Sequence, residues 1–158
     1  MPKRSVLIGL MAAGAIISTA ASAAERDPRI GNWVERKGTP SYQGLRRSFE
    51  GLGNGLIRVN IALDPQGKAL SFVELTCDGQ PYPVQGGDLV GRLTLACRTV
   101  DARTTEFTFI RSATAGWVKS TGREQVLEDG LVMTVSAVQT DANGAVTTRI
   151  DRVFDRQP

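Results

Sequence analysis

Apolar and polar residues alternate with a period of two along most of this chain, and that period predicts β-strands. In residues 56–63 the set Ile57, Val59, Ile61 and Leu63 falls on one face, while Arg58 and Asn60 point away. Residues 93–100 divide the same way, with Leu93, Leu95 and Cys97 against Thr94, Ala96 and Arg98. Residues 105–111 set Phe107 and Phe109 against Glu106 and Thr108. Further strands are predicted over 45–50, 69–76, 81–84, 131–139 and 145–154, and the first strand begins at Gly31. Residues 116–127 read as one long bent strand with Gly122 near the bend. The 3.6-residue period of an amphipathic helix is absent after residue 24.

Turn signals separate these segments every 8–12 residues or so, the spacing of an all-β sandwich or barrel. Asp64-Pro65-Gln66-Gly67 is a β-turn with Pro at its second position, and Asp129-Gly130 and Asn143-Gly144 mark hairpins. Two prolines confine residues 81–84 to an edge or a bulge. The expected fold is all-β: a single antiparallel meander of roughly eight to ten strands closed into a barrel, which removes exposed edges. A barrel of about eight strands is either filled by side chains or holds one small ligand.

The first 23 residues do not fit this pattern. Lys3 and Arg4 form a basic start, residues 6–17 are apolar and uncharged, and Ala21-Ser22-Ala23 gives the small-x-small motif of a signal peptidase site. Residues 1–23 are therefore read as a cleavable secretory signal, 24–30 as a flexible polar segment, and 31–158 as one β-barrel domain. The apolar stretch is shorter than the roughly 20 residues that span a bilayer, so no transmembrane span is expected after cleavage. The expected location is periplasmic or secreted.

Cleavage changes the charge argument. The full chain carries 19 Lys and Arg against 16 Asp and Glu, a formal net charge of +3. Lys3 and Arg4 leave with the signal, and bases and acids then nearly balance. The remaining charges are interleaved, as in Asp151-Arg152-Val153-Phe154-Asp155-Arg156, which argues against a nucleic-acid partner.

Export also bears on the two cysteines, Cys77 and Cys97, because an oxidising compartment favours a disulfide between them. Closing a loop of that length stabilises a fold by about 3 kcal/mol. The chain has no histidine. That excludes Ser-His-Asp and Cys-His catalytic sets, His-based zinc sites and His-ligated haem. Gly53-Asn54-Gly55 and Gly86-Gly87 precede no helix, so neither cradles a phosphate. Asp78, Asp88, Asp101, Glu106, Asp129 and Asp141 are the carboxylates available for acid–base work, and four of them sit in turns that favour Asp for backbone reasons. No catalytic residue, metal ligand or cofactor is expected.

Three segments together resemble a group of small exported bacterial proteins of unknown function. They are Gly31-Asn32-Trp33, then Asp78-Gly79-Gln80-Pro81-Tyr82-Pro83-Val84-Gln85-Gly86, then residues 128–135 running on to Val153-Phe154-Asp155-Arg156-Gln157. The resemblance covers nearly all of the chain after the signal and implies a lipocalin-like barrel, with no established activity. In lipocalins the G-x-W tryptophan closes one barrel end, often under an arginine from the last strand, so Arg149 or Arg152 is the expected partner of Trp33. Core filling is the commoner role of a tryptophan that starts a first strand. The expected function is a binding or carrier barrel for a small apolar or amphipathic ligand. Its candidate contacts are Trp33, Phe72, Tyr82, Phe107 and Trp117, with Tyr82 at a barrel mouth. The alternative is a filled barrel serving as a structural or protein-interaction module of the cell envelope. A carboxylate-based enzyme, a third reading, requires two acids facing each other in a pocket. Purified after export, the protein is expected to begin at Ala24 by N-terminal sequencing; retention of Met1 would contradict a cleaved signal.

Overall fold

The computed structural model describes residues 27–63, 68–113 and 116–158. The signal segment and the Asp64–Gly67 turn lie outside the described residues. The described residues form ten strands: β1 (Gly31–Glu35), β2 (Arg46–Gly53), β3 (Leu56–Leu63), β4 (Ala69–Leu75), β5 (Tyr82–Pro83), β6 (Leu93–Thr99), β7 (Thr104–Ala113), β8 (Gly116–Val126), β9 (Val132–Thr140) and β10 (Val146–Arg156). A 3-10 turn, Gly87–Leu89, lies between β5 and β6. Among the described residues no helix is long and apolar enough to cross a membrane.

All ten strands belong to one antiparallel sheet in the order β4-β3-β2-β1-β10-β9-β8-β7-β6-β5. This is the expected meander, with β1 joining the two ends of the chain. The sheet curls until β4 meets the short β5, and the barrel closes there through a single bridge. Phe72 and Gln85 exchange backbone hydrogen bonds of 2.9 and 2.7 Å across it. The prolines flanking Tyr82 remove amide donors from this segment, which is why the seam has so few ladder bonds. The Cys77–Cys97 disulfide, with Cα atoms 4.6 Å apart, ties the end of β4 to β6 across the same seam. Beside it the Gly79 amide donates to the Cys97 carbonyl at 2.8 Å.

The interior follows the alternation read from sequence. Ile57 and Val59, Leu93, Leu95 and Cys97, and Phe107 all turn inward and are buried. β8 is one continuous strand. Its Gly122 stands opposite Phe107, where an added Cβ would lie 2.7 Å from the ring and 2.5 Å from the Ala137 methyl. The missing side chain is therefore what lets the Phe107 ring occupy the barrel axis.

Antiparallel order fixes two ends. One, the floor, gathers residues 27–30 and the β2–β3, β6–β7 and β8–β9 connections. The other, the mouth, gathers the β1–β2 and β9–β10 connections and the 3-10 turn. The segment expected to be flexible is packed in its described part. Residues 27–30 form a turn, and Arg29 is buried in the floor, because its guanidinium finds acidic partners inside the barrel. Replacing both Cys77 and Cys97 with alanine is expected to cost about 3 kcal/mol in a urea titration. An unchanged midpoint would show that the seam needs no staple.

Candidate functional site

The floor is built around one carboxylate. Glu124 and Val126 share the inward face of β8, so the sheet carries Glu124 into the barrel, where it is buried. Arg29 Nη1 reaches its Oε2 at 3.2 Å, and Arg47 from β2 pairs with its other oxygen. Arg29 also donates to Asp27 at 2.7 Å and to the Cys77 sulfur at 3.2 Å. Burial works against the Arg29 charge, but Asp27 and Glu124 outweigh it and hold its pKa above the ordinary arginine value. The two guanidinium groups both lie over the Phe49 ring, at 5.3 and 5.0 Å from its centroid. Little space remains among these groups, a void of about 10 Å³.

Trp33 completes the floor. Its ring is fully buried and its indole N–H donates to the Arg29 carbonyl at 2.7 Å. The arginine that covers it is Arg156, with its guanidinium carbon 4.3 Å from the ring centroid, and not the expected Arg149 or Arg152. The register explains the difference, because Arg156 is the direct cross-strand partner of Trp33 in the β1–β10 ladder. Arg156 also donates to the carbonyls of Pro28, Ile30 and Gly130 at 2.5, 2.5 and 2.6 Å. Gly31, with φ of +130°, leaves room for it; a Cβ there would sit 2.7 Å from Arg156 Nη1.

Above the floor the barrel is hollow. A cavity of about 290 Å³ opens toward the mouth, walled by residues of β2, β3 and β6 to β10. Phe107, Phe109, Val135 and Phe154 form its apolar wall, Ser120 and Gln139 add polar groups, and the arginines Arg46, Arg47, Arg111 and Arg152 also line it. No aspartate or glutamate is among its lining residues. Gln139 Nε2 donates to Ser120 Oγ at 3.3 Å. Near the mouth the buried Glu35 accepts the amides of Gln43 and Leu45 at 2.8 and 3.0 Å. Its second oxygen lies 3.3 Å from Arg152 Nε, and Arg152 also donates to the Ser41 carbonyl. These bonds fold the β1–β2 connection back against the wall.

Of the five sequence-predicted contacts, only Phe107 lines this cavity. Trp33 plugs the floor beneath it. Phe72 lies on the outer face, stacked on Arg58 at 4.8 Å, because its inward neighbours on β4 are Ser71, Val73 and Leu75. Tyr82 is not at the mouth. Its hydroxyl bonds Asp78 and Thr76 at 2.9 and 2.8 Å, at the floor end of the seam. The Gln80 amide first, and then these hydroxyls, hold the Asp78 carboxyl below the usual carboxylate range. Trp117 shares the exposed face of β8 with Lys119 and Arg123.

Sequence reasoning missed Phe109, Arg111, Ser120 and Gln139 as wall residues, and Glu35 and Glu124 as buried acids. Parity held the signal: Glu35 follows Trp33 by two, and Glu124 precedes Val126 by two. A larger concavity of about 680 Å³ lies on the outer face of β6 to β9. Glu106 lies in it, gripped by Arg98 and Arg123 at 2.7 and 2.9 Å. Those arginines, Arg123 foremost, pull its pKa below the usual value. Among the described residues no group of three His, Cys, Asp or Glu is placed to hold a metal ion. No protein-family model matches the chain, and no curated protein does. Glu124→Gln, which leaves the buried Arg29 and the half-buried Arg47 short of a counter-charge, is expected to cost about 3–5 kcal/mol by chemical denaturation. A loss below about 1 kcal/mol would place the floor's stability elsewhere.

Proposed function

We propose that this protein is an exported binding or carrier barrel for a small apolar or amphipathic molecule. The observation that carries this reading is the cavity of about 290 Å³ above a sealed floor. Its volume is near the lower end of the roughly 300–1,000 Å³ typical of ligand sites, which suits a small or slender ligand. Its lining also has the usual chemistry of such sites, aromatic and aliphatic walls with a few polar groups.

The Cys77–Cys97 bridge supports export, because disulfides persist in oxidising compartments. The outer surface supports a barrel that works in water. Arg58 and Glu74 pair across β3 and β4 at 2.5 Å, and the Arg98–Glu106–Arg123 triad covers β6 to β8. A barrel that crosses a membrane carries its apolar face outward, the inverse of this arrangement.

Native mass spectrometry of the protein purified from its exporting host is expected to show a co-purified small molecule. An apolar fluorophore is expected to bind the emptied protein, and Ser120→Trp, which fills the cavity, to weaken it by about tenfold or more. Equal binding by the wild type and by folded Ser120→Trp would remove the cavity as the site.

A further inference from the structure

The cavity's arginines are not equivalent, and the difference points to the chemistry of the ligand. Arg47 is committed to Glu124 and to the Phe49 and Phe154 rings. Arg152 is committed to Glu35 and the Ser41 carbonyl. Arg46 and Arg111 form no ion pair with a described residue. Arg111 is the more telling of the two. It stands opposite Leu93 on one side and Val118 on the other, and both neighbours line the cavity. It therefore belongs to the inward face of β7, two residues above Phe109, where the apolar wall ends and the mouth begins.

Among the described residues no acid at the mouth pairs with this charge, and Asp88 of the 3-10 turn forms no ion pair. Asp141 is occupied by the amides of Asn143 and Ala145, each at 2.9 Å, and Asp151 by the Ser136 hydroxyl at 2.9 Å. Glu35 is turned to Arg152 and the β1–β2 connection. The cavity thus combines an apolar lower wall with a rim arginine, Arg111, that pairs with no described acid.

Resting on the reading of this cavity as a ligand site, the geometry points to an amphiphile with an anionic head. The apolar chain lies against Phe107, Phe109, Val135 and Phe154, and the head is received by Arg111. A guanidinium presents a planar fork of donors that fits a carboxylate or a phosphate with two parallel bonds. Next to a low-dielectric wall such a pair is stronger than in open water. A cationic amphiphile would meet repulsion at the same rim, and a neutral one would leave the guanidinium unanswered.

The test is calorimetric titration of the mature, delipidated protein with four ten-carbon probes below their micelle concentrations. They are decanoate, decyl phosphate, decanol and decyltrimethylammonium. Decanoate or decyl phosphate is expected to bind about tenfold or more tightly than decanol, and decyltrimethylammonium more weakly still. The better of the two anions identifies the head as a carboxylate or a phosphate. Arg111→Gln is expected to erase the anion's advantage while leaving decanol unchanged, and Arg111→Lys to restore part of it. Arg111 is exposed, so both variants should keep the wild-type melting temperature, which checks that they are folded. Equal affinity for decanoate, decyl phosphate and decanol, or no effect of Arg111→Gln, would overturn the anionic head and leave the ligand cavity standing. Failure of all four probes to bind would overturn the cavity reading and the head group with it.

Discussion

Glu124 between Arg29 and Arg47 is the interaction on which the closed end of the barrel depends. Burying three charges is expensive unless each finds its partners, and removing one partner of such a set is strongly destabilising. Here every member of the set is bound more than once. Arg29 also holds Asp27 and the disulfide sulfur of Cys77, and both guanidiniums share the Phe49 ring. The carbonyl of Arg29 receives the Trp33 indole, and Arg156 covers that ring from β10. One carboxylate on β8 thereby ties together residues 27–30, β1, β2, β4, β6 and β10. The set specifies one floor, since no apolar isostere would reproduce so many directed bonds at once.

Sealing the floor with charge and aromatic rings leaves the apolar side chains of the upper strands with nothing across the axis from them. A barrel of this size has room for side chains to meet in the centre or for one small ligand. The lower half takes the first course and the upper half the second. The boundary lies near Phe107, whose ring reaches the axis because Gly122 opposite it has no side chain. The seam between β4 and β5 is the weakest part of the wall, with one backbone bridge and the disulfide. The cavity is lined from the strands away from this seam, where the ladders are long and regular.

The strands and the cysteine pair were legible in the sequence because period-two alternation and turn residues act locally. Residues 56–63 were predicted as a strand and form β3, and Asp-Gly and Asn-Gly open the two hairpins around β9. The site was less legible, because alternation separates two faces without saying which one is inside. On β4 both faces carry apolar residues, and only Glu74, on the Phe72 side, marks that side as the outer one. On β8 the inward face carries Ser120 and Glu124 while the outward face carries Trp117, so each face mixes polar and apolar residues and Trp117 looks like a core residue. The partner of Trp33 depended on the β1–β10 register, a long-range fact that spacing within β10 does not contain. Arg111 and Gln139 gain their meaning only when strands distant in sequence close one cavity around them.

The central claim is a hollow upper half standing on a rigid, charged floor. A backbone-resolved NMR titration of the mature protein with decanoate tests it most directly. The account predicts shifts at the amides of Phe109, Ser120, Gln139 and Ile150, with the Trp33 indole and the Glu124 amide unmoved. Shifts confined to Ala96, Thr108 and Thr121 would place binding on the outer groove and contradict it, as would a perturbation spread through the floor.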